Sequence, residues 1–187
     1  MSLERVHVES LFYPGQGENI TRSGIIPYTR INNLETDEVE ELWLLGTLPS
    51  GRLSDFGGGC NILEGELSYE CIIREVDEES NGLLTDVVAR SLDDAFVRGI
   101  EKDEDINDLI IWRWKSRQQK GKDTTNVDYL VFIPVDYEEL AEIGEQFEGN
   151  EENTSINWYY AADLERESVM NFNTSIQKYL RKFGWKK

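Results

Sequence analysis

The sequence predicts an α/β protein in which a mixed β-sheet is flanked by helices, and three observations support this fold class. Several segments are rich in β-branched and aromatic residues, which favour strands. These segments do not alternate regularly with helical ones, as they would in a doubly wound parallel sheet. The chain has 187 residues, enough for one domain with a substantial core. We therefore expect a single domain over residues 1–187, in which residues 1–20 form a peripheral extension.

The predicted strands fall into two pairs and three shorter pieces. Residues 24–31 and 41–48 are expected to form a hairpin around an acidic loop at 32–40. A second strand pair is expected at 108–117 and 127–135, around the basic loop that follows Arg117. The remaining predictions are a short strand at 52–56, a glycine loop at 57–59, a strand or short turn at 83–90 and a strand leading into a turn at 155–164.

Three helices are predicted from apolar periodicity and from helix-ending residues. The first covers residues 68–80, with Gly82 as its C-terminal stop. A short acidic helix is expected at 137–147. The C-terminal helix is expected to pack on the sheet because five apolar residues share one face at helical spacing, namely Phe172, Ile176, Tyr179, Leu180 and Phe183.

The charge and the rare residue types exclude several classes of function. The net charge is −18, which opposes binding to long nucleic acids and to anionic membranes. His7 is the only histidine, so the Ser-His-Asp and Cys-His nucleophilic schemes are not expected. Cys60 and Cys71 are the only cysteines and suit a reducing interior. No secretory signal is recognised at the N-terminus, so we expect a cytoplasmic protein whose partner is a small molecule.

The predicted helix at 68–80 gathers carboxylates on one side. Glu75, Glu78 and Glu79 fall within an arc of about 100° on a helical projection, beside an apolar arc. Like charges at this spacing repel one another. A hard divalent cation would remove that repulsion, because Mg²⁺ prefers oxygen ligands. The alternative is an ordinary solvated acidic face, which is common in acidic chains.

The stretch from Gly59 to Leu83 resembles the Nudix box, G-x5-E-x7-R-E-U-x-E-E-x-G-U, in which U is a bulky apolar residue. The residues that agree in identity and register are Glu66, Arg74, Glu75, Val76, Glu78 and Glu79. The sequence departs from the pattern at two places. Six residues instead of five separate Gly59 from Glu66, and Ser80 and Asn81 stand where the pattern has one residue before Gly82.

The resemblance implies an α/β/α sandwich over roughly residues 22–183 and Mg²⁺-dependent hydrolysis of a nucleoside diphosphate linked to another moiety. It implies that Glu75, Glu78 and Glu79 bind Mg²⁺, for which Mn²⁺ can substitute. A backbone carbonyl of Gly59, or of Gly58, is implied as a further ligand. In the same scheme Arg74 orients the glutamates and Glu66 supports the site.

The group that takes the proton from water is left open by the resemblance, because in the family this base comes either from the box or from a later loop. Glu151 and Glu152 precede Trp158 in a segment that resembles this loop. Of the two we include Glu152 in the catalytic set. A plain acidic loop is the alternative.

Candidate substrate-binding residues lie in the second strand pair. Trp112, Arg113 and Lys115 combine an aromatic ring with positive charge, a combination that can stack a base and bind phosphate. Further basic residues follow at Arg117, Lys120 and Lys122. A solvated hairpin with core tryptophans is the alternative interpretation.

The sequence is also compatible with two other functions. One is a Nudix-fold module that binds a nucleotide without hydrolysing it. The other is removal of the RNA cap, which would require the basic residues 113–122 and the tail 181–187 to bind RNA locally despite the overall negative charge. The particular nucleotide derivative and the oligomeric state are also open, although a homodimer is common in the family.

Overall fold

The computed structural model describes residues 3–33, 36–102, 106–115 and 124–183. The strands of these residues are β1 (Leu3–Val6), β2 (Glu18–Asn33), β3 (Glu38–Thr47), β4 (Leu53–Ser54), β5 (Phe56–Gly59), β6 (Ile110–Lys115), β7 (Thr125–Pro134) and β8 (Ser155–Tyr160). The α-helices are α1 (Glu9–Phe12), α2 (Ser68–Ser80), α3 (Thr85–Phe96), α4 (Tyr137–Leu140), α5 (Ile143–Gln146), α6 (Ala161–Leu164) and α7 (Thr174–Lys182). Short 3₁₀ turns lie at Ile62–Glu64 and Val169–Asn171, and a π-helical turn at Val97–Glu101 extends α3.

The described strands form one mixed sheet in the order β1-β6-β7-β2-β3-β4, while β5 pairs with β2 and β8 pairs with β3. The β2–β7 pair is parallel, and the other pairs are antiparallel. Long β2 and β3 each change partner along their length. β2 pairs with β5 at Arg22–Ile25 and with β3 from Tyr28 onwards. This arrangement leaves β5 beside the middle of the sheet, next to helix α2.

Each face of the sheet has its own core. Side chains alternate between faces along a strand, so Ile25 of β2 packs with α2 and α3 whereas Ile26 packs with α7. The apolar stripe of α2 contributes Cys71, Ile72 and Val76 to the first core. The sheet therefore lies between two layers of helices, and the predicted α/β class with a mixed sheet flanked by helices is confirmed.

Both predicted strand pairs are present. β2 and β3 form the expected hairpin, although β2 begins earlier than predicted and residues 34–35 of the loop lie outside the described residues. β6 and β7 pair antiparallel as expected. The basic residues Arg117, Lys120 and Lys122 also lie outside the described residues. The C-terminal helix α7 buries Ile176 and Leu180 against the sheet, as its pattern predicts.

The glycine loop predicted at 57–59 is instead part of a strand. β5 pairs antiparallel with β2 through Gly57, Gly58 and Gly59. A Cβ on Gly57 would lie 2.2 Å from the Cα of Gly24 on the neighbouring strand. The glycines thus permit a close approach of two backbones, which side-chain patterns cannot reveal.

The strand or turn predicted at 83–90 is the first half of helix α3. Its buried residues, Leu84, Val88, Leu92 and Ala95, recur at helical spacing. The segment 83–90, from which the strand or turn is predicted, contains only two of these buried residues. Its β-branched residues therefore favour a strand, and the helical spacing is not visible within it. The predicted helix at 137–147 is divided into α4 and α5.

Residues 3–20 are an integral part of the domain, so the predicted peripheral extension is wrong. β1 extends the sheet by pairing with β6. Leu11 of α1 is fully buried, and Ile20 belongs to the same core. Short elements of this kind carry little periodic signal, which explains why the sequence suggests a peripheral extension.

The two cysteines, expected as separate thiols, form a disulfide. Cys60 and Cys71 have Cα atoms 5.4 Å apart, which is within the range that disulfides require. The chain brings them together because it leaves β5, makes a 3₁₀ turn and returns along α2. In the described residues, no helix has both the length and the apolar character that crossing a bilayer would require.

Candidate metal centre

Helix α2 carries the box residues, and its ends lie where the sequence predicts them. Its first residue, Ser68, is buried and shares a hydrogen bond of 2.7 Å between hydroxyl oxygens with Ser23 of β2. Glu70 accepts a hydrogen bond of 2.9 Å from the backbone N–H of Leu67, which satisfies one free donor of the first turn. The helix ends at Asn81, whose φ of 53° is left-handed, followed by Gly82 with φ of 80°.

Arg74 contacts Glu66, Glu75 and the backbone of Gly59. Its Nε and Nη2 donate to the two carboxylate oxygens of Glu66 at 2.9 and 3.1 Å. Its Nη1 lies 2.5 Å from Oε1 of Glu75, and its Nη2 donates to the Gly59 carbonyl at 2.8 Å. These charge-assisted hydrogen bonds lower the pKa of Glu66 and raise that of Arg74. Arg74 therefore orients Glu75 while it fixes the preceding loop.

Glu75 and Glu79 are buried against the glycines of β5. A Cβ on Gly58 would lie 2.3 Å from Oε2 of Glu75, so the carboxylate occupies the space that a side chain would need. The backbone of Gly57 lowers the pKa of the Glu79 carboxyl, against the larger effect of burial. The two carboxylates are one helical turn apart and lie on the same side of α2. The glycine strand thus lies directly against the buried carboxylate of Glu75.

Burial governs the acidity of this pair. It raises the pKa of Glu75, although Arg74 opposes the shift. The same cause raises the pKa of Glu79 to about 9, and the negative charges of Asp55 and Glu152 add to the effect. Asp55 is itself fully buried and forms an ion pair of 2.9 Å with Arg22. The site therefore concentrates more carboxylates than its single arginine from α2 can neutralise.

Glu152 approaches this pair from the loop before β8. Single carboxylate oxygens of Glu75, Glu79 and Glu152 all lie within 4.8 Å of one another. The loop is anchored to the sheet because the backbone N–H of Thr154 donates to Thr47 of β3 at 2.7 Å. Asn153 is fully buried and donates to the backbone carbonyl of Glu79 at 3.3 Å. Residues that are distant in sequence thus converge at one end of α2.

A hard divalent cation fits this arrangement. Three carboxylates converge, and Oε2 of the buried Glu79 has no hydrogen-bond partner among the described residues. A buried anionic oxygen without a partner is costly. Mg²⁺ and Mn²⁺ take carboxylate oxygens as ligands and would neutralise the repulsion. Glu75, Glu79 and Glu152 are therefore the residues that would hold such an ion.

Two of the predicted metal ligands occupy other positions. Glu78 is not part of the convergent group, since its side chain is 52% exposed and its carboxylate lies 3.4 Å from Nη1 of Arg74. The Gly59 carbonyl accepts the hydrogen bond from Arg74. Of the two glycines left open by the sequence, Gly58 is the one whose backbone lies against the Glu75 carboxylate.

The predicted substrate-binding residues do not join this site. Arg113 donates to Glu4 and also to both carboxylate oxygens of Glu18, at 2.9 and 3.0 Å. Trp112 packs against Tyr179 and Phe183 of the C-terminal segment, with ring centroids 6.0 and 5.1 Å away. Lys115 is exposed at the end of β6. β7 separates this strand from β2, so the three residues lie on a different part of the sheet from α2.

Sequence reasoning missed the residues that support the carboxylates from outside α2. Arg22, Asp55, Asn150 and Asn153 belong to this group. No local pattern marks Arg22 or Asp55, because their pairing depends on β2 lying beside β5. Asn150 and Asn153 flank the predicted Glu151 and Glu152, so attention to amides in this acidic loop could have found them.

Comparison with known proteins gives structural neighbours only. No family model matches the chain, and no curated protein matches it significantly. It is similar to a mutT/nudix family protein from Listeria innocua, with 13% identity, 91% of this chain and 93% of that chain covered, and a TM-score of 0.46. It is also similar to an Ap4A hydrolase from C. elegans in a binary complex, with 17% identity, 88% and 94% coverage, and a TM-score of 0.41. A Nudix protein is thus among the solved structures to which this chain is similar.

Proposed function

We propose that this protein is a Mg²⁺-dependent hydrolase of the Nudix type, which cleaves a phosphoanhydride bond in a nucleoside diphosphate linked to another moiety. The observation that carries the proposal is the convergence of Glu75, Glu79 and Glu152 within 4.8 Å of one another. Two of these residues belong to the sequence motif, and the third comes from the later loop in which the motif's family places an additional carboxylate. Mn²⁺ is expected to substitute for Mg²⁺.

In this proposal the residues of the site have different roles. Glu75 and Glu79, which are buried, would hold the cation, and Glu152 would complete the set of oxygen ligands. A bound divalent cation would screen the phosphate charges and make attack by water at phosphorus feasible at neutral pH. Arg74 keeps Glu75 and Glu66 in place through the contacts described above. We also assign to Glu152, which is exposed, the acceptance of a proton from the attacking water, through the carboxylate oxygen that would not hold the cation.

The substrate is a small nucleotide derivative in this proposal, and no second function is favoured by the described residues. RNA cap removal would need free positive charge near the site. The guanidinium of Arg113 is instead engaged by Glu4 and Glu18. The net charge of −18 further opposes binding of an extended RNA.

The test is a hydrolysis assay on a panel of phosphoanhydrides, with Mg²⁺, with Mn²⁺ and with a chelator. The panel includes nucleotide sugars, dinucleoside polyphosphates, NAD-type dinucleotides, modified triphosphates, diphosphoinositol phosphates and cap analogues. Glu79→Gln should lower kcat on the preferred substrate by on the order of 100-fold or more, because it removes a charged oxygen ligand. Glu64→Gln is the matched control, since Glu64 is exposed in the 3₁₀ turn before α2.

Two outcomes would contradict the proposal. One is a wild-type protein that hydrolyses none of these compounds in the presence of either metal. The other is a Glu79→Gln variant that is as active as the Glu64→Gln control.

A further inference from the structure

The loop that carries Glu152 is fastened to the end of α2 by the side chain of Asn150. Its Nδ2 donates to the backbone carbonyls of Glu78 and Glu79, at 3.0 and 3.2 Å. The same nitrogen lies 3.1 Å from Oδ1 of Asn81, the residue that ends the helix. The last carbonyls of a helix have no partner within the helix. Asn150 supplies that partner from a segment about seventy residues later in the chain.

The other end of the same amide organises the loop itself. Oδ1 of Asn150 accepts hydrogen bonds from the backbone N–H groups of Glu152 and Asn153, at 2.9 and 2.7 Å. The backbone N–H of Asn150 donates to the carbonyl of Asn153 at 2.8 Å, which closes a tight turn. One side chain therefore connects the helix end to the backbone of Glu152.

Asn81 forms the second half of this connection. Its Nδ2 lies 3.5 Å from the carbonyl of Gly149, so the two asparagines contact each other's segment reciprocally. Asn81 is one of the two residues that stand where the Nudix pattern has a single residue. Its left-handed φ of 53° turns the side chain of this additional residue toward the loop. We call Asn81 and Asn150 the asparagine clamp.

Electrostatics explain why a clamp is needed at this place. The C-terminal end of a helix carries partial negative charge, and the carboxylate of Glu152 lies close to Glu79 in the last turn of α2. Glu152 also approaches two buried glutamates. Without amide donors directed at the helix end, these charges would drive the loop away.

We propose that Asn150, assisted by Asn81, is a positioning residue that holds the carboxylate of Glu152 in the metal site. This inference rests on the proposed function, because it takes Glu152 as a ligand of the cation. In this inference the asparagine clamp affects cation binding only by positioning Glu152. The clamp itself contacts neither the cation nor the substrate.

The test measures binding of Mn²⁺ alone by electron paramagnetic resonance, with no substrate present. Asn150→Ser retains an oxygen acceptor for the loop but removes the Nδ2 donor. It should raise the Kd for Mn²⁺ about tenfold, as expected for a residue that orients a ligand. Glu152→Gln should weaken binding at least as much. In the Glu152→Gln background, Asn150→Ser should change the Kd less than about twofold, because no carboxylate remains to be positioned.

A second variant and two controls make the result specific. Asn81→Gly keeps the left-handed backbone and removes only the side chain, so it should weaken Mn²⁺ binding in the same direction. Asn32→Ser, on an exposed part of β2, and Glu151→Gln, beside Glu152, should leave the Kd unchanged.

The outcomes separate the inference from the proposed function. A wild-type protein that does not bind Mn²⁺ would overturn both. Wild-type affinity in Asn150→Ser and Asn81→Gly would overturn the inference alone. The inference is also overturned if the losses from Asn150→Ser and Glu152→Gln multiply, because the asparagine would then act on some other group.

Discussion

At the level of single residues, position 58 requires glycine because the side chain of Glu75 leaves no room for a Cβ, and not because of its backbone conformation. Its φ is not among the positive values that favour glycine in the described residues. The space where its side chain would lie is filled by the carboxylate of Glu75. Of the three glycines, Gly58 therefore has no space for a side chain, whereas Gly59 does. Substitutions at the two positions can test this difference.

We expect Gly58→Ala to displace Glu75 and to impair the site. The new Cβ would lie 2.3 Å from Oε2 of Glu75, so overpacking should lower the free energy of unfolding by about 1–3 kcal/mol. Mn²⁺ affinity should fall about tenfold, because a ligand is moved. Gly59→Ala is the control, since its Cβ would meet only the carbonyl of Thr21 at 4.0 Å. Equal Mn²⁺ affinity and equal urea midpoints for the two variants would contradict this prediction.

Glu79 should make the stability of the metal-free protein depend on pH. Burial raises its pKa from 4.5 to about 9, so the folded state binds more protons than the unfolded state between these values. The free energy of unfolding should therefore fall as pH rises through this range. Glu79→Gln removes the effect and should stabilise the metal-free protein at pH 8 by on the order of 1–3 kcal/mol.

The measurement is urea denaturation at several pH values in the presence of a chelator, with Glu64→Gln as the control. Saturating Mn²⁺ should reverse the order, because only the wild-type site gains stability from the cation. A Glu79→Gln variant that is no more stable than the wild type at pH 8 without metal would show that the buried carboxylate is not destabilising.

At the level of elements, the site depends on how β5 is held against α2. The Cys60–Cys71 disulfide joins the end of β5 to the first half of the helix. The segment between the two cysteines contains Glu66, whose carboxylate accepts from Arg74 and from the backbone N–H of Asn61 at 2.7 Å. The strand, the turn and the helix are therefore connected covalently as well as by hydrogen bonds.

Replacing both cysteines by serine should lower the free energy of unfolding by about 2–3 kcal/mol, as expected from opening a loop of this length. The measurement is urea denaturation without reductant. Dithiothreitol should produce a similar loss in the wild type and none in the double variant. A wild-type protein whose unfolding midpoint is the same with and without dithiothreitol would contradict the disulfide.

At the level of the whole molecule, the sequence predicts best what is local. The bounds of α2 and the register of Glu66, Arg74 and Glu75 can be predicted, because helix-ending residues and a dense motif lie within one short stretch. The disulfide, the ion pair of Arg22 with Asp55 and the approach of Glu152 could not be derived in the same way. The disulfide depends on the path of the turn between β5 and α2, and the other two contacts depend on segments that are further apart in the chain. The pattern of a single sequence does not show either kind of contact.

The parallel pair of β2 and β7 has a consequence for how the chain is made. Ile20 pairs with Val127, so a central neighbour of β2 leaves the ribosome only after most of the chain has been synthesised. Until then one edge of β2 lacks its partner, and the nascent protein exposes an apolar strand edge that can pair with other chains. Because β2 and β7 pair late, we expect the protein to depend on chaperones during synthesis and to refold slowly from denaturant.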